Sequence, residues 1–173
     1  MWVVEPAGSG PIGPARLSNI DANNLRVASV SYSDGMVVSF GYDGSGRVTR
    51  STIGDTNGND ADGLGQTTTY AYGTTVGGLT PVTVTDASGR AWTYRFDATT
   101  AALREIHAPA VGGVVDVTRY TYDASGNVQQ VETARGATTV ARTTYTYDSR
   151  GNALSEVDLM GNRVDRTFDT ANQ

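Results

Sequence analysis

Apolar and aromatic residues alternate with polar residues along most of the chain, and short turns interrupt the alternation. In the segment from Arg119 to Tyr122 the two tyrosines share one side of an extended strand, because side chains two residues apart point to the same face. The next five residues, Asp123 to Asn127, place an Asp where a type I turn begins and a Gly where positive φ returns the chain. The pattern predicts a β-hairpin.

This strand-and-turn unit recurs along the chain. The aromatic residue before each turn is Tyr42, Tyr72, Phe96, Tyr122, Tyr147 or Phe168, which gives spacings of 30, 24, 26, 25 and 21 residues. Near-regular spacing of this length indicates a repeat architecture in which neighbouring hairpins bury faces that one hairpin leaves open. We therefore predict an all-β fold of antiparallel β-hairpin repeats that form an extended or curling sheet.

Most repeats contribute aromatic residues, a turn Asp and a turn Gly, although Gly73 replaces the Asp after Tyr72. We interpret the aromatic residues as packing, the aspartates as turn formers and the glycines as the points of reversal. The alternative is that the aromatic rows stack on sugar rings, but their regular spacing favours packing because a binding site is local. The structural motif comprises Phe40, Tyr42, Asp43, Gly46, Tyr70, Tyr72, Trp92, Tyr94, Phe96, Asp97, Tyr120, Tyr122, Asp123, Gly126, Tyr145, Tyr147, Asp148, Gly151, Phe168 and Asp169.

The domain organisation is simple. Residues 1–16 are rich in Gly and Pro and are interpreted as a lead-in, while residues 17–173 form the β-repeat domain, with about six units and an open C-terminal end. Asp34-Gly35 predicts a two-residue hairpin turn. The alternating pattern also predicts strands over residues 114–122 and 138–147. Residues 98–104 lack the turn Gly and are compatible with one helical turn.

Composition excludes several classes of function. The absence of Cys excludes disulfides, thiol nucleophiles and Cys–zinc sites, and the net charge of −5 leaves no electrostatic footprint for nucleic acid. No apolar run is long enough for a membrane helix, and residues 1–14 lack the features of a signal peptide, so an export signal is expected elsewhere. All 13 basic residues are Arg, which indicates a G+C-rich bacterial coding sequence.

One polar insertion offers oxygen ligands for a hard cation such as Ca²⁺. The candidate ligands differ from an EF-hand loop, because Asp60 occupies the position of the Gly and Gln66 that of the bidentate Glu. The competing interpretation is a solvated loop. The candidate Ca²⁺ ligands are Asp55, Asn57, Asn59, Asp60 and Asp62.

The sequence offers little for catalysis. His107 is the only histidine, and no nucleophile elbow lies near it. Asp116 and Glu132 are a candidate carboxylate pair for glycoside hydrolysis. Because the motif aspartates have a structural reason to be present, we expect no catalytic residues and no enzymatic activity.

The segments from Tyr120 to Asn127 and from Tyr145 to Asn152 resemble the YD repeats of the RHS/YD-repeat family. Three further segments are similar, and the resemblance covers residues 17–173. The family includes polymorphic bacterial toxins, insecticidal toxin subunits, cell-wall-associated proteins and teneurins. The resemblance implies a long sheet that spirals into a hollow shell, which in toxin members encloses a C-terminal toxin. The three further segments are Phe40 to Arg47, Asp86 to Asp97 and Asp158 to Asp169.

Two differences from the toxin members of the family limit which family properties are expected for this chain. The chain is too short to close a shell, and it lacks the Asp-Pro-x-Gly self-cleavage signature of many toxin members. We therefore expect a structural segment of a larger secreted or surface bacterial protein. The expected partners are further YD repeats of the same or other chains, an enclosed toxin domain or glycans, without nucleic acid or membrane insertion. The alternative function is a carbohydrate or cell-surface binding module.

Overall fold

A computed structural model describes residues 16–21, 26–33, 35–54 and 65–171. The regular secondary structure in these ranges consists of β-strands alone. Residues 1–15 of the predicted lead-in lie outside the described residues. The strands are β1 (Arg16–Asp21), β2 (Arg26–Ser31), β3 (Val37–Tyr42), β4 (Val48–Gly54), β5 (Gln66–Tyr72), β6 (Leu79–Thr85), β7 (Ala91–Asp97), β8 (Leu103–His107), β9 (Asp116–Tyr122), β10 (Val128–Arg135), β11 (Thr138–Tyr147), β12 (Ala153–Asp158) and β13 (Arg163–Asp165).

Within each compact unit of the chain, strands that follow one another pair antiparallel. The chain divides into two compact units, of which the first contains residues 1–71 and 84–90 and the second contains residues 72–83 and 91–173. In the first unit β1 to β5 form a meander, and in the second unit β7 to β13 do the same. The predicted fold class, an all-β sheet of antiparallel hairpin repeats, is confirmed.

A shift of register accompanies the strand ends at the motif turns. The ladder slips by one residue between Gly41 and Tyr42, between Arg95 and Phe96, and between Thr146 and Tyr147. An extra residue at such a point bends the strand and increases its twist. The extra residue is Thr49, Arg104 or Leu154, so the strand that returns from the turn is the one that carries the bulge.

Few side chains are fully buried in the described residues. The only buried hydrophobic residue there is Ala134, and the buried polar residues are Thr52 and Ser155, of which Ser155 is 2% exposed. The hydroxyls pair across strands, with Thr52 Oγ1 3.0 Å from Thr67 Oγ1 and Thr146 Oγ1 2.6 Å from Ser155 Oγ. Backbone ladders and cross-strand pairs thus contribute more than a closed apolar core.

One predicted connection takes a different form, and the single helical turn that the sequence allows is present over a slightly different range. Gly35 donates to the carbonyl of Tyr32, and Tyr32 donates to the carbonyl of Met36, so this turn is longer than the predicted two-residue turn. Gly35 has a φ of 91° and makes the reversal, while Asp34 lies outside the described residues. Residues 97–101 form a single α-turn, closed by the bond from Ala101 N–H to the carbonyl of Asp97.

The boundary of β9 also differs from the sequence expectation, which began this strand at Val114. Val111 and Val114 exchange backbone hydrogen bonds around Gly112 and Gly113, both of which have positive φ. This two-residue turn occupies the region where the alternating pattern began. Within the described residues, no helix is long and apolar enough to cross a membrane.

Candidate functional site

Five turns of the described chain share the sequence Asp-x-x-Gly-x and one hydrogen-bonding scheme. In each turn Asp Oδ1 accepts backbone N–H bonds of 2.8–3.0 Å from the residues two and four positions later, whichever residue types stand there. The Gly N–H donates to the Asp carbonyl, and the Asp N–H donates to the carbonyl four residues later. The turns begin at Asp43, Asp86, Asp123, Asp148 and Asp158.

The second carboxylate oxygen binds the side chain at the end of the turn. Arg47 Nε donates to Asp43 Oδ2 at 2.8 Å, and Asn127 Nδ2 donates to Asp123 Oδ2 at 3.0 Å. The other three turns repeat one of these two contacts. The motif accepts Arg or Asn at this position because both side chains place an N–H donor near Oδ2. Both oxygens of each carboxylate therefore have partners within their own turn.

The turn glycines have positive φ, as the sequence predicts. The φ of Gly126 is 87° and that of Gly151 is 86°, in a region that side chains rarely adopt. A Cβ built on Gly126 meets no atom within 4 Å, so the backbone conformation alone requires glycine there. At Gly46 a Cβ would also collide with the guanidinium of Arg26.

Asp97 forms a variant of the turn without glycine. Its Oδ1 accepts bonds of 3.0 Å from the N–H groups of Thr99 and Thr100, and Ala101 takes the positive φ of 57°. Arg104 Nη2 donates to Asp97 Oδ2 at 3.1 Å. The carboxylate thus holds the turn even where the sequence signal is incomplete.

The motif at the C-terminal end is described only in part. Asp169 Oδ1 accepts a bond of 2.8 Å from the N–H of Ala171, which is the first contact of the common scheme. Asn172, which stands at the position of the Gly, lies outside the described residues.

Hydrogen bonding keeps these carboxylates ionised. The side-chain and backbone N–H groups of Asn127 lower the pKa of Asp123. Desolvation raises the pKa of Asp86, but the bonds from Arg90 outweigh it, so that the pKa is lowered overall. The N–H groups of Thr100 and Thr99, followed by the Arg104 side chain, lower the pKa of Asp97 to about 2. Such groups suit the role of a fixed acceptor better than that of a general acid.

Three motif tyrosines bind the backbone of the preceding strand. Tyr42 Oη donates to the carbonyl of Val27 at 2.8 Å, and Tyr122 Oη donates to the carbonyl of Leu103 at 2.7 Å. Tyr147 Oη donates to the carbonyl of Val128, in the preceding strand β10, at 2.7 Å. In each case the acceptor lies in the first two residues of its strand. The phenol hydroxyl therefore links the last residue of one strand to the first residues of the strand before it.

The tyrosine rings are partly covered. The guanidinium carbons of Arg26 and Arg104 each lie 5.5 Å from a ring centroid, over Tyr42 and Tyr122 respectively. These distances suit cation–π contact. The rings of Tyr145 and Tyr147 are tilted, with centroids 6.4 Å apart. The other aromatic residues of the motif are also half-buried, namely Phe40, Tyr70, Tyr72, Trp92, Tyr94, Phe96, Tyr120 and Phe168.

The remaining candidate sites are not assembled by the described residues. The proposed Ca²⁺ ligands at 55–62 lie outside them, and in the ranges that the structure describes no three His, Asp or Glu residues cluster as metal ligands. His107 Nε2 lies 2.8 Å from Glu105 Oε2. Asp116 pairs with Arg135, and the strand alternation puts Asp116 and Glu132 on opposite faces. These two carboxylates therefore cannot flank one glycosidic bond.

A row of alternating charges crosses β7 to β11, and the sequence reasoning missed it. The strand registers place the five residues directly opposite one another in turn. Glu105 forms ion pairs with Arg95 at 3.6 Å and with Arg119 at 3.2 Å. The sequence signal is the recurrence of Arg at intervals of 24 and 23 residues, close to the repeat length. The charge row comprises Arg95, Glu105, Arg119, Glu132 and Arg142.

Residues 21–60 match the family model described as RHS repeat. This part of the chain is an RHS repeat. The matched range contains β2, β3 and β4 with the Asp43 turn, and the same turn geometry recurs outside it. No curated protein matches the sequence of this RHS-repeat chain. It is a structural repeat segment.

Proposed function

We propose that this RHS-repeat segment forms part of the wall of a β-sheet shell or scaffold in a larger secreted or surface bacterial protein. One observation carries the proposal: the polar atoms of the motif are engaged in building the sheet. The Asp123 carboxylate binds its own turn, and the Tyr122 hydroxyl binds the backbone of the preceding strand. A repeated unit whose polar atoms are used in this way is suited to building the wall of a shell or scaffold.

The shell would enclose a further domain of the same polypeptide. We propose a C-terminal toxin as the enclosed domain, by analogy with toxin members of the family. Its other partners would be further YD repeats of the same or other chains. This role needs no catalytic residue and no cofactor, and Ca²⁺ binding at residues 55–62 stays a prediction that calorimetry with Ca²⁺ tests.

Limited proteolysis of the natural polypeptide that contains these repeats tests the shell. We expect one domain outside the repeats to resist protease until denaturant unfolds the repeats, and then to be cut rapidly. The matched control is the same domain produced without the repeats. Equal cleavage rates with and without folded repeats would show that nothing is enclosed.

Carbohydrate binding is the second candidate function. The pair of half-buried rings at Tyr145 and Tyr147 favours it, because exposed aromatic faces stack on apolar faces of ligands. Binding of glycans on an array, lost in Tyr145→Ala, would support this function. If no glycan on the array binds, carbohydrate binding loses its support and the wall role is the remaining proposal.

A further inference from the structure

One of the five Asp-x-x-Gly turns differs in kind at its two corner positions. Four turns carry small or polar residues there, whereas the last turn carries Leu159 and Met160. Met160 is 90% exposed and Leu159 is 38% exposed. The other four turns make the same hydrogen bonds without apolar corners, so the turn itself does not require these side chains. The corners of the other turns are Gly44-Ser45, Ala87-Ser88, Ala124-Ser125 and Ser149-Arg150.

The apolar corner adjoins further exposed apolar surface on β11. Val140 is 49% exposed, and it lines a shallow depression of about 240 Å³ together with Arg142, Asp158, Leu159 and Met160. Exposed apolar side chains that cluster in this way mark interaction sites more often than isolated ones do. The depression is smaller than the roughly 300–1,000 Å³ of most small-molecule sites. Its size suits a single side chain of a partner.

The charge available in this depression is positive. Asp158 is already committed, because it accepts bonds from Met160 N–H at 2.9 Å and from the N–H and Nδ2 of Asn162 at 2.8 Å and 2.7 Å. Arg142 has no ion pair within the described part of the chain, even with its register partner Glu132. A guanidinium in this state can bind a carboxylate through two parallel N–H bonds. Charge complementarity therefore favours an acidic partner.

We propose that Val140, Arg142, Leu159 and Met160 form a docking surface for a peptide segment of a partner protein. The segment presents one large aliphatic side chain, which enters the depression between Val140 and the apolar corner. It also presents a neighbouring carboxylate, which pairs with Arg142. This function goes beyond the wall role, because all five Asp-x-x-Gly turns share the wall motif whereas only one of them carries an apolar corner.

Short synthetic peptides with one central Leu, flanked by Glu in one set and by Lys in the other, test the proposal by fluorescence anisotropy. We expect the Glu-flanked peptides to bind and the Lys-flanked peptides not to bind. Leu159→Ala combined with Met160→Ser gives the turn the corner residues of the Asp123 turn, which preserves folding. This double variant should weaken binding by about tenfold or more. Arg142→Gln should remove the preference for Glu over Lys.

The matched control transfers the apolar pair to another turn. Ala124→Leu combined with Ser125→Met should create no additional binding, because Arg142 and Val140 do not line that turn. Circular dichroism checks that each variant is folded. Absent binding of the Glu-flanked set, equal binding of both sets, or unchanged binding by the Leu159 and Met160 variant would each overturn the proposal. Self-association in sedimentation that this variant abolishes would also overturn it, since the occupant would then be a second copy.

Discussion

At the scale of single residues, two tyrosines of β9 differ in one hydrogen bond. Tyr122 Oη donates to the carbonyl of Leu103 at 2.7 Å, whereas the Tyr120 hydroxyl has no hydrogen bond within the described residues. Both rings are half-buried. We expect Tyr122→Phe to lower the free energy of unfolding by about 0.5–1.5 kcal/mol, the usual net contribution of such a bond. Urea denaturation measures this change. Tyr120→Phe is the control and should change little, so equal losses would show that the hydroxyl bond is unimportant.

The turn glycines allow a second residue-scale prediction. Gly126→Val and Gly151→Val should each lower the free energy of unfolding by about 1–3 kcal/mol, because valine is strained at positive φ. Since a Cβ at Gly126 meets no neighbour, the cost there comes from the backbone and not from a collision. Thermal melting measures it. Ala124→Val, at an exposed corner of the same turn, is the control. Unchanged melting of both glycine variants would contradict the assigned turn.

The carboxylates make stability depend on acid. Bonds from Thr100, Thr99 and Arg104 hold the pKa of Asp97 at about 2, below its ordinary value of 3.8. A lowered pKa stabilises the folded state above the unfolded value, and this contribution is lost as pH falls from about 4 toward 2. We expect the urea midpoint to fall across this interval, and to fall less steeply in Asp97→Asn. The same slope in both proteins would mean that Asp97 is not responsible.

At the scale of strands, the sequence located the elements better than their ends. The predicted strand from Thr138 to Tyr147 is confirmed, because alternating Thr and aromatic residues favour a pleated surface. The start of β9 was wrong, since Val111 to Val114 form a Gly-Gly turn whose flanking valines imitate a strand pattern. The register could not be predicted, because it depends on how two separate segments pair and not on the sequence of either segment alone.

The charge row yields the prediction for this scale. A double-mutant cycle with Glu105→Ala and Arg119→Ala should give a coupling energy of about 0.2–1 kcal/mol, because the pair lies 3.2 Å apart but Arg119 is substantially exposed. High salt should reduce the coupling by screening. Glu132 and Arg142 are opposite in register without forming an ion pair, so their cycle is the control. A coupling in the control as large as that of the Glu105 pair would show that register alone determines it.

At the scale of the whole molecule, the scarcity of fully buried apolar side chains determines the expected thermodynamics. Ala134 is the only buried hydrophobic residue in the described ranges, and the aromatic residues stay half-buried. Exposure of apolar surface dominates the heat capacity of unfolding. We therefore expect calorimetry to give a value below the usual 12–15 cal/mol/K per residue, roughly, for globular domains. A value within that range would indicate a closed core.

The sequence by itself determined the turns and the strands that enter them. Asp, Gly and the aromatic pair act over a few residues, so their spacing was sufficient to indicate an all-β repeat. The tertiary structure alone decided the contacts that join residues from different strands. It assigned Tyr122 to the Leu103 carbonyl, aligned Arg119 with Glu105, and left Arg142 beside the exposed Met160. These contacts depend on strand register, which arises from the pairing of distant segments and cannot be read from any one of them.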